Sequence, residues 1–253
     1  MFKNAIVRTP GKSLVQGLST AGLGLPDYER ALVQHNEYIT SLEECGLDVL
    51  VLPPDEDYPD STFVEDVALL TSKCAIITNP GAPSRKGETA HIKSVLKKYF
   101  WTIEEIKNPG TAEAGDIMMV GSHYFIGISE RTNLEGAQQI SKILKKHGFS
   151  VSLVELDEML HLKTGVAYLE NNTLLACGEM LTKPEFQNFN IIPVDPDESY
   201  AANCIWVNDT VFMPLGYPKA RRSVQKAGYQ IKDIDVSEFR KLDGGLSCLS
   251  LRF

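Results

Sequence analysis

Residues 117–146 read IMMVGSHYFIGISERTNLEGAQQISKILKK, and the change of pattern within them decides the fold class. Ile117–Val120 and residues 124–127 are short apolar runs, as buried strands require. Leu134–Lys146 instead sets Ala137, Ile140, Ile143 and Leu144 at helical spacing, with lysines in its last turn and Gly148 beyond, where a helix stop is expected. Strands that give way to an amphipathic helix are the signature of an α/β chain.

The alternation continues outward from this stretch. Strands are expected at residues 5–7, Asp48–Leu52, residues 67–70 and Ala75–Ile77, and helices at Tyr28–Glu44 and residues 90–99. Hairpins dominate further on, where residues 166–169 and 174–177 flank Glu170-Asn171-Asn172, and residues 204–207 and 210–213 flank Asn208-Asp209. Asn and Asp suit such turns because they tolerate positive φ. Two hairpins followed by helix-like segments hint at a repeated β-rich unit without a strict sequence period. With no low-complexity linker, residues 1–253 are expected to form a single domain.

Composition narrows the class. The chain is 43% hydrophobic and 23% charged, the balance of a globular protein able to bury a core. Its formal net charge of -8 speaks against general affinity for nucleic acid, which needs basic surface. No apolar run approaches the ~20 residues of a membrane helix, and Arg8 and Pro10 interrupt any signal-peptide core. The five cysteines, odd in number and without Cys-x-x-Cys spacing, read as reduced thiols rather than a disulfide framework or zinc ribbon. A cytoplasmic protein is expected, with no affinity for membranes.

Six segments carry candidate chemistry. In Asp60-Ser61-Thr62-Phe63-Val64-Glu65-Asp66, strand geometry sends Glu65 and Asp66 to opposite faces unless the chain bends, so one faces the interior and needs a cationic or hydrogen-bonding partner. Glu113-Ala114-Gly115-Asp116, before an apolar run, offers carboxylates able to hold a guanidinium; alone it also reads as a polar turn. His161, between Leu160 and Leu162, is an acid/base candidate, although an isolated histidine in such a setting is more often structural. Cys248 follows Gly244-Gly245-Leu246-Ser247, a loop flexible enough to present a thiol to a ligand, although a lone cysteine there also reads as packing. Arg85 and Arg131 suit a carboxylate, but their spacing alone does not bring them together.

In their order and residue types these segments resemble the dimethylarginine dimethylaminohydrolases over nearly the whole chain. The resemblance rests on Phe63-Val64-Glu65-Asp66-Val67-Ala68, Asn79-Pro80-Gly81-Ala82-Pro83-Ser84-Arg85, Arg131-Thr132-Asn133, His161-Leu162-Lys163, Ala201-Ala202-Asn203-Cys204-Ile205 and the loop from Asp243 to Cys248. Ala114 stands where the family's Glu/Asp-Gly-Gly-Asp motif has glycine.

The resemblance implies a pentein α/β propeller of five ββαβ-type units around a central active site. It also implies a hydrolase that converts Nω-methylated arginines to citrulline and a methylated amine without metal or organic cofactor. Cys248 would then be the nucleophile, His161 the general acid and base, and Glu113 the carboxylate that orients His161 or the substrate. Asp66, with Glu65 nearby, would hold the guanidinium, while Asp60 and the Leu18 carbonyl receive the α-amino group. Arg85 and Arg131 would bind the α-carboxylate, and the backbone around Leu242 and Asp243 would close the pocket. Arginine deiminase shares this site and chemistry, and a non-catalytic binder of cationic amino acids would retain the pocket without turnover. A homodimer is compatible with the sequence.

Overall fold

The computed structural model describes residues Met1–Phe253, with fifteen strands in five three-stranded sheets. The first two strands, β1 (Asn4–Arg8) and β2 (Asp48–Leu52), pair in parallel. The next four sheets follow chain order: β3 (Ala68–Leu70), β4 (Ala75–Ile77) and β5 (Ile103–Glu105); β6 (Ile117–Val120), β7 (His123–Ile128) and β8 (Ser150–Glu155); β9 (Val166–Tyr168), β10 (Thr173–Ala176) and β11 (Asn190–Pro193); β12 (Ile205–Val207), β13 (Thr210–Pro214) and β14 (Gln230–Ile234). Finally β15 (Leu251–Arg252) returns to pair antiparallel with β1, so the two ends of the chain complete the first sheet together. In every sheet the middle strand pairs antiparallel with one neighbour and parallel with the other. This repetition is the pentein propeller.

Parallel pairing requires a crossover, and helices supply it. Tyr28–Glu44, Glu88–Leu96, Leu134–Lys146 and Pro218–Lys226 each join a middle strand to its parallel partner. In the β9–β11 sheet the crossover is two 3-10 turns, Gly178–Leu181 and Pro184–Phe186, and Pro184 lacks the N–H that a continuous helix would need. Asp27 caps the first helix by accepting from Arg30 N, and Asn133 caps the third by accepting from Gly136 N at 2.8 Å. No helix is long and apolar enough to cross a membrane.

The hairpin turns behave as their residues demand: Glu170, Asn171 and Asn172 have φ of 68°, 51° and 56°, and Asn208 and Asp209 have 44° and 75°. Buried apolar side chains form five clusters where sheets meet helices and neighbouring sheets. Helices Tyr28–Glu44 and Leu134–Lys146 lie where the apolar periodicity places them; the one expected at 90–99 occupies Glu88–Leu96. The strand expected at 67–70 begins only at Ala68, because Val64–Val67 forms a 3-10 turn.

Candidate active site

The first strands of the five sheet units, β3, β6, β9, β12 and β15, converge, and the segments that enter them supply most of the polar residues singled out in the sequence. Leu18, Asp60, Asp66, Arg85, Glu113, Arg131, His161, Leu242, Asp243 and Cys248 line one cavity of about 150 Å³. Residues scattered over most of the chain thus face a common space. Phe63, Ser19, Thr20, Leu160 and Gly244 also line it, without having been given a role beforehand.

Glu65 does not line this cavity. Strand geometry was expected for its segment, but in a 3-10 turn successive side chains diverge by about 120° rather than 180°. Both Glu65 and Asp66 are therefore buried, facing different directions. Glu65 lines a second, largely apolar cavity, where its Oε1 accepts from Lys163 Nζ at 2.5 Å and lies 4.0 Å from Arg252 Nη2. Its side chain therefore lies behind Asp66, off the lining of the first cavity.

At the centre, His161 Nε2 stands 2.9 Å from Glu113 Oε2. Glu113 is completely buried, and its Oε1 accepts from Ala82 N at 3.1 Å with Arg131 Nη1 at 3.5 Å. Burial opposes the charge on Glu113, but the hydrogen bond and charge of His161, aided by Arg85 and Arg131, outweigh it and hold its pKa at about 2. Burial likewise opposes the imidazolium, yet Asp116, Glu113 and Asp66 together raise His161 to about 9. Histidine is thus protonated at neutral pH and ready to donate.

Asp116, which the sequence offers with Glu113 as a carboxylate able to hold a guanidinium, turns away from the cavity. Wholly buried, it accepts from Leu162 N at 2.9 Å and Ser129 Oγ at 2.7 Å, which anchors the segment carrying His161 while facing it with negative charge. Gly115 explains why alanine is tolerated one position earlier. A Cβ at Gly115 would come within 2.8 Å of Asp66 Oδ1 and 3.0 Å of His161 Nδ1, whereas Ala114 packs into the core with no positive φ.

Cys248 follows a loop whose Gly245 carbonyl accepts its N–H at 3.2 Å. Burial first, then the charges of Asp66 and Glu65, push its thiol up to about 12. Without a cation in the cavity the sulfur is neutral. Asp60 Oδ1 accepts from Leu18 N at 3.0 Å, and Asp243 Oδ2 accepts from Thr20 N and Thr20 Oγ1, so residues 18–20 are pinned across the cavity mouth.

The two arginines differ. Arg85 is buried: its Nε and Nη2 donate to Glu88, its Nη1 to Asp66 Oδ2 at 2.6 Å, and its Nη2 also to the carbonyls of Asp60 and Phe63. Only one Nη1 N–H is left uncommitted. Arg131 keeps a looser grip on Glu113 and is partly exposed. The spacing Arg85 to Glu88, one helical turn, was the available signal for this pairing.

Comparison with known proteins agrees with this arrangement. Residues 27–199 match the family model described as N,N dimethylarginine dimethylhydrolase, eukaryotic. The N(G),N(G)-dimethylarginine dimethylaminohydrolase of Pseudomonas aeruginosa is 59% identical over 254 residues, covering 100% of both chains. A solved structure of a cysteine-to-serine variant of that Pseudomonas aeruginosa enzyme, complexed with citrulline, superposes with a TM-score of 0.99 at 58% identity and full coverage of both chains. A histidine-to-glycine variant of a dimethylarginine dimethylaminohydrolase, solved as an adduct with S-methyl-L-thiocitrulline, gives 0.98 at the same identity and coverage.

Proposed function

The chain belongs to the dimethylarginine dimethylaminohydrolase family, and from that premise we propose how its own residues carry the reaction. It is a hydrolase of guanidino C–N bonds that converts asymmetric dimethylarginine and monomethylarginine to citrulline and a methylated amine through a covalent cysteine thiouronium. The observation that carries the residue assignment is the cavity shared by Cys248, His161, Glu113 and Asp66.

A guanidinium is a poor electrophile because its charge is delocalised. Donor atoms of Asp66, Glu113 and His161 lie within 4.8 Å of one another, so two carboxylates face the space in which the cation would be held. Asp66 binds the guanidinium, and Asp60 with the Leu18 carbonyl receives the α-amino group. Arg131, joined by the spare N–H of Arg85, binds the α-carboxylate, while the backbone at Leu242 and Asp243 closes the pocket. Arrival of the cation offsets the carboxylate field that keeps Cys248 protonated, and the thiol proton leaves to solvent.

The thiolate then attacks the central guanidino carbon, forming a neutral tetrahedral adduct. Protonated His161 donates to the methylated nitrogen, the C–N bond breaks, and amine departs to leave a thiouronium cation on sulfur. Neutral His161, oriented by Glu113, takes a proton from water as its oxygen attacks the same carbon. The C–S bond breaks, and citrulline and free Cys248 result. Glu113 holds the imidazole throughout.

Residues 1–253 serve as one catalytic domain, a reading supported by the way separate sheet units contribute to one cavity. A cytosolic placement is supported by five unpaired cysteines, and a homodimer is compatible with this arrangement. The deciding experiment incubates purified protein with asymmetric dimethylarginine and, separately, arginine. Citrulline with dimethylamine from the first is expected; turnover of arginine alone would move the chain to the deiminases, and turnover of neither would leave it a binder.

A further inference from the structure

The segment Ala201-Ala202-Asn203-Cys204-Ile205 belongs to the family resemblance but has no part in the reaction described above. In the structure a 3-10 segment, Pro196–Ala202, delivers two of its neighbourhood's polar side chains to the loop that carries the nucleophile. Tyr200 Oη donates to the Gly244 carbonyl at 2.7 Å. Asn203 does more: its Oδ1 accepts from Ser247 N at 3.0 Å, and its Nδ2 donates to Ser247 Oγ at 3.2 Å and to the Lys163 carbonyl at 3.1 Å.

These partners lie 40 and 44 residues away and belong to the two segments whose side chains must meet at the reacting carbon. Lys163 is two residues after His161, and Ser247 immediately precedes Cys248. Asn203 is only 8% exposed, so solvent does not readily replace the bonds it makes. Contact is also steric: a Cβ at Gly245 would fall 2.5 Å from Asn203 Cγ and Oδ1, so the loop passes as close to the amide as a glycine backbone permits.

From this we infer that Asn203 is a positioning residue, a clamp that fixes the distance between the Cys248 sulfur and the His161 ring without touching substrate. An amide is the side chain that can do this. Its oxygen holds the Ser247 N–H while its nitrogen spans to the Lys163 carbonyl, a combination that neither a carboxylate nor a hydroxyl reproduces. Loss of the bridge lets sulfur and imidazole drift independently. Misplacement of reacting groups by about 1 Å costs roughly 10²-fold in rate even when binding contacts are intact.

The inference rests on the proposed reaction and is tested separately from it. Asn203→Ala removes the whole clamp; Asn203→Asp keeps the volume and the acceptor for Ser247 N but sets an oxygen against the Lys163 carbonyl. For each variant and the unmodified protein, Cys248 is counted by exhaustive iodoacetamide labelling read on the peptide that carries it, since Cys45 is also partly exposed. kcat and KM for asymmetric dimethylarginine are then expressed per labelled site. The expected result is a fall in kcat of ~10²-fold for both variants with KM within ~3-fold. A purely structural role would lower the number of competent sites or the melting temperature and leave kcat per site unchanged. Either that outcome or a loss confined to KM overturns the inference, and if Asn203→Ala does not fold, Asn203→Asp decides alone. Absence of turnover in the unmodified protein counts against the reaction; normal turnover in both variants counts against the clamp.

Discussion

Two cavities lie back to back in this molecule, and sequence neighbours are divided between them. Asp66, Glu113, His161 and Cys248 face the first; Glu65, Ala114, Lys163 and Ser247 face the second. The second is walled by the strands themselves, with Leu69, Ile117, Val166, Ile205 and Leu251 among its apolar lining. Its one buried carboxylate, Glu65, is met by Lys163 and approached by Arg252 within the protein. The first cavity gathers Asp60, Asp66, Glu113 and Asp243 around a sulfur held neutral by burial first and then by the charges of Asp66 and of Glu65 behind it. Charge balance completed by the protein makes a floor; charge balance left to the ligand makes a site.

The comparison breaks most sharply at Cys248, the proposed nucleophile. Cys248→Ser should reduce citrulline formation by at least ~10³-fold with an unchanged circular dichroism spectrum, because a hydroxyl lacks the acidity and nucleophilicity of the thiol. Retained turnover would remove Cys248 from the reaction. Next come the adjacent acids. Asp66→Asn should lower kcat/KM by ~10²-fold or more, since it weakens the hold on a cation. Glu65→Gln, facing the other cavity, should keep kcat/KM within ~5-fold and act on stability by about 1–3 kcal/mol in urea unfolding. Equal kinetic losses would erase the distinction between the two cavities.

The arginines sharpen the same contrast. Arg85→Ala strands Asp66 and Glu88 in the interior and should cost about 3–5 kcal/mol of stability, measured by denaturant unfolding. Arg131→Ala should leave the melting temperature nearly unchanged and raise KM by ~10-fold or more, with a smaller effect on kcat. The converse pattern would exchange their roles.

The last test is the dependence of stability on pH. His161 is raised from 6.5 to about 9 in the fold, so its contribution is complete below pH 6.5 and disappears as pH rises through 9. Glu113 is depressed from 4.5 to about 2, so its contribution is complete above pH 4.5 and is lost as pH falls through 2. The stability difference between the native protein and His161→Gln should therefore be greatest between pH 4.5 and 6.5 and shrink steadily up to pH 9. A difference that grows with pH would mean that the imidazole is neutral in the fold.

What the sequence disclosed follows from burial. Middle strands such as Ala75–Ile77 and Thr173–Ala176 are buried throughout and read as continuous apolar runs. The parallel outer strands, Ile103–Glu105, Ser150–Glu155, Asn190–Pro193 and Gln230–Ile234, are partly exposed and carry polar or charged residues, so periodicity passed over them. Helix Pro218–Lys226 was hidden similarly, with only Ala220 and Val224 buried. Within the site, Glu113, His161 and Cys248 were each ambiguous alone, and the family resemblance was what joined them. Glu65 and Asp66 are both buried because a local 3-10 turn interrupts a strand-like pattern, and Asn203 had no visible role because its partners are distant in the chain.

The meeting of β15 with β1 also sets a schedule. During synthesis at roughly 5–20 residues per second, β1 is made long before β15 and takes β2 as its parallel neighbour, but its other edge stays bare until β15 has emerged. Cys248 precedes that closing strand by only a few positions. Nascent chains can thus build most of the sheets with no sulfur among the carboxylates, and reactivity appears only when the ring shuts. The same adjacency, with Lys3 N and Asn4 N both donating to the Phe253 carbonyl, marks a seam where a short link between Phe253 and Met1 would let the ring be opened elsewhere, for example at the exposed Asn171-Asn172 turn, without disturbing the order of the sheets.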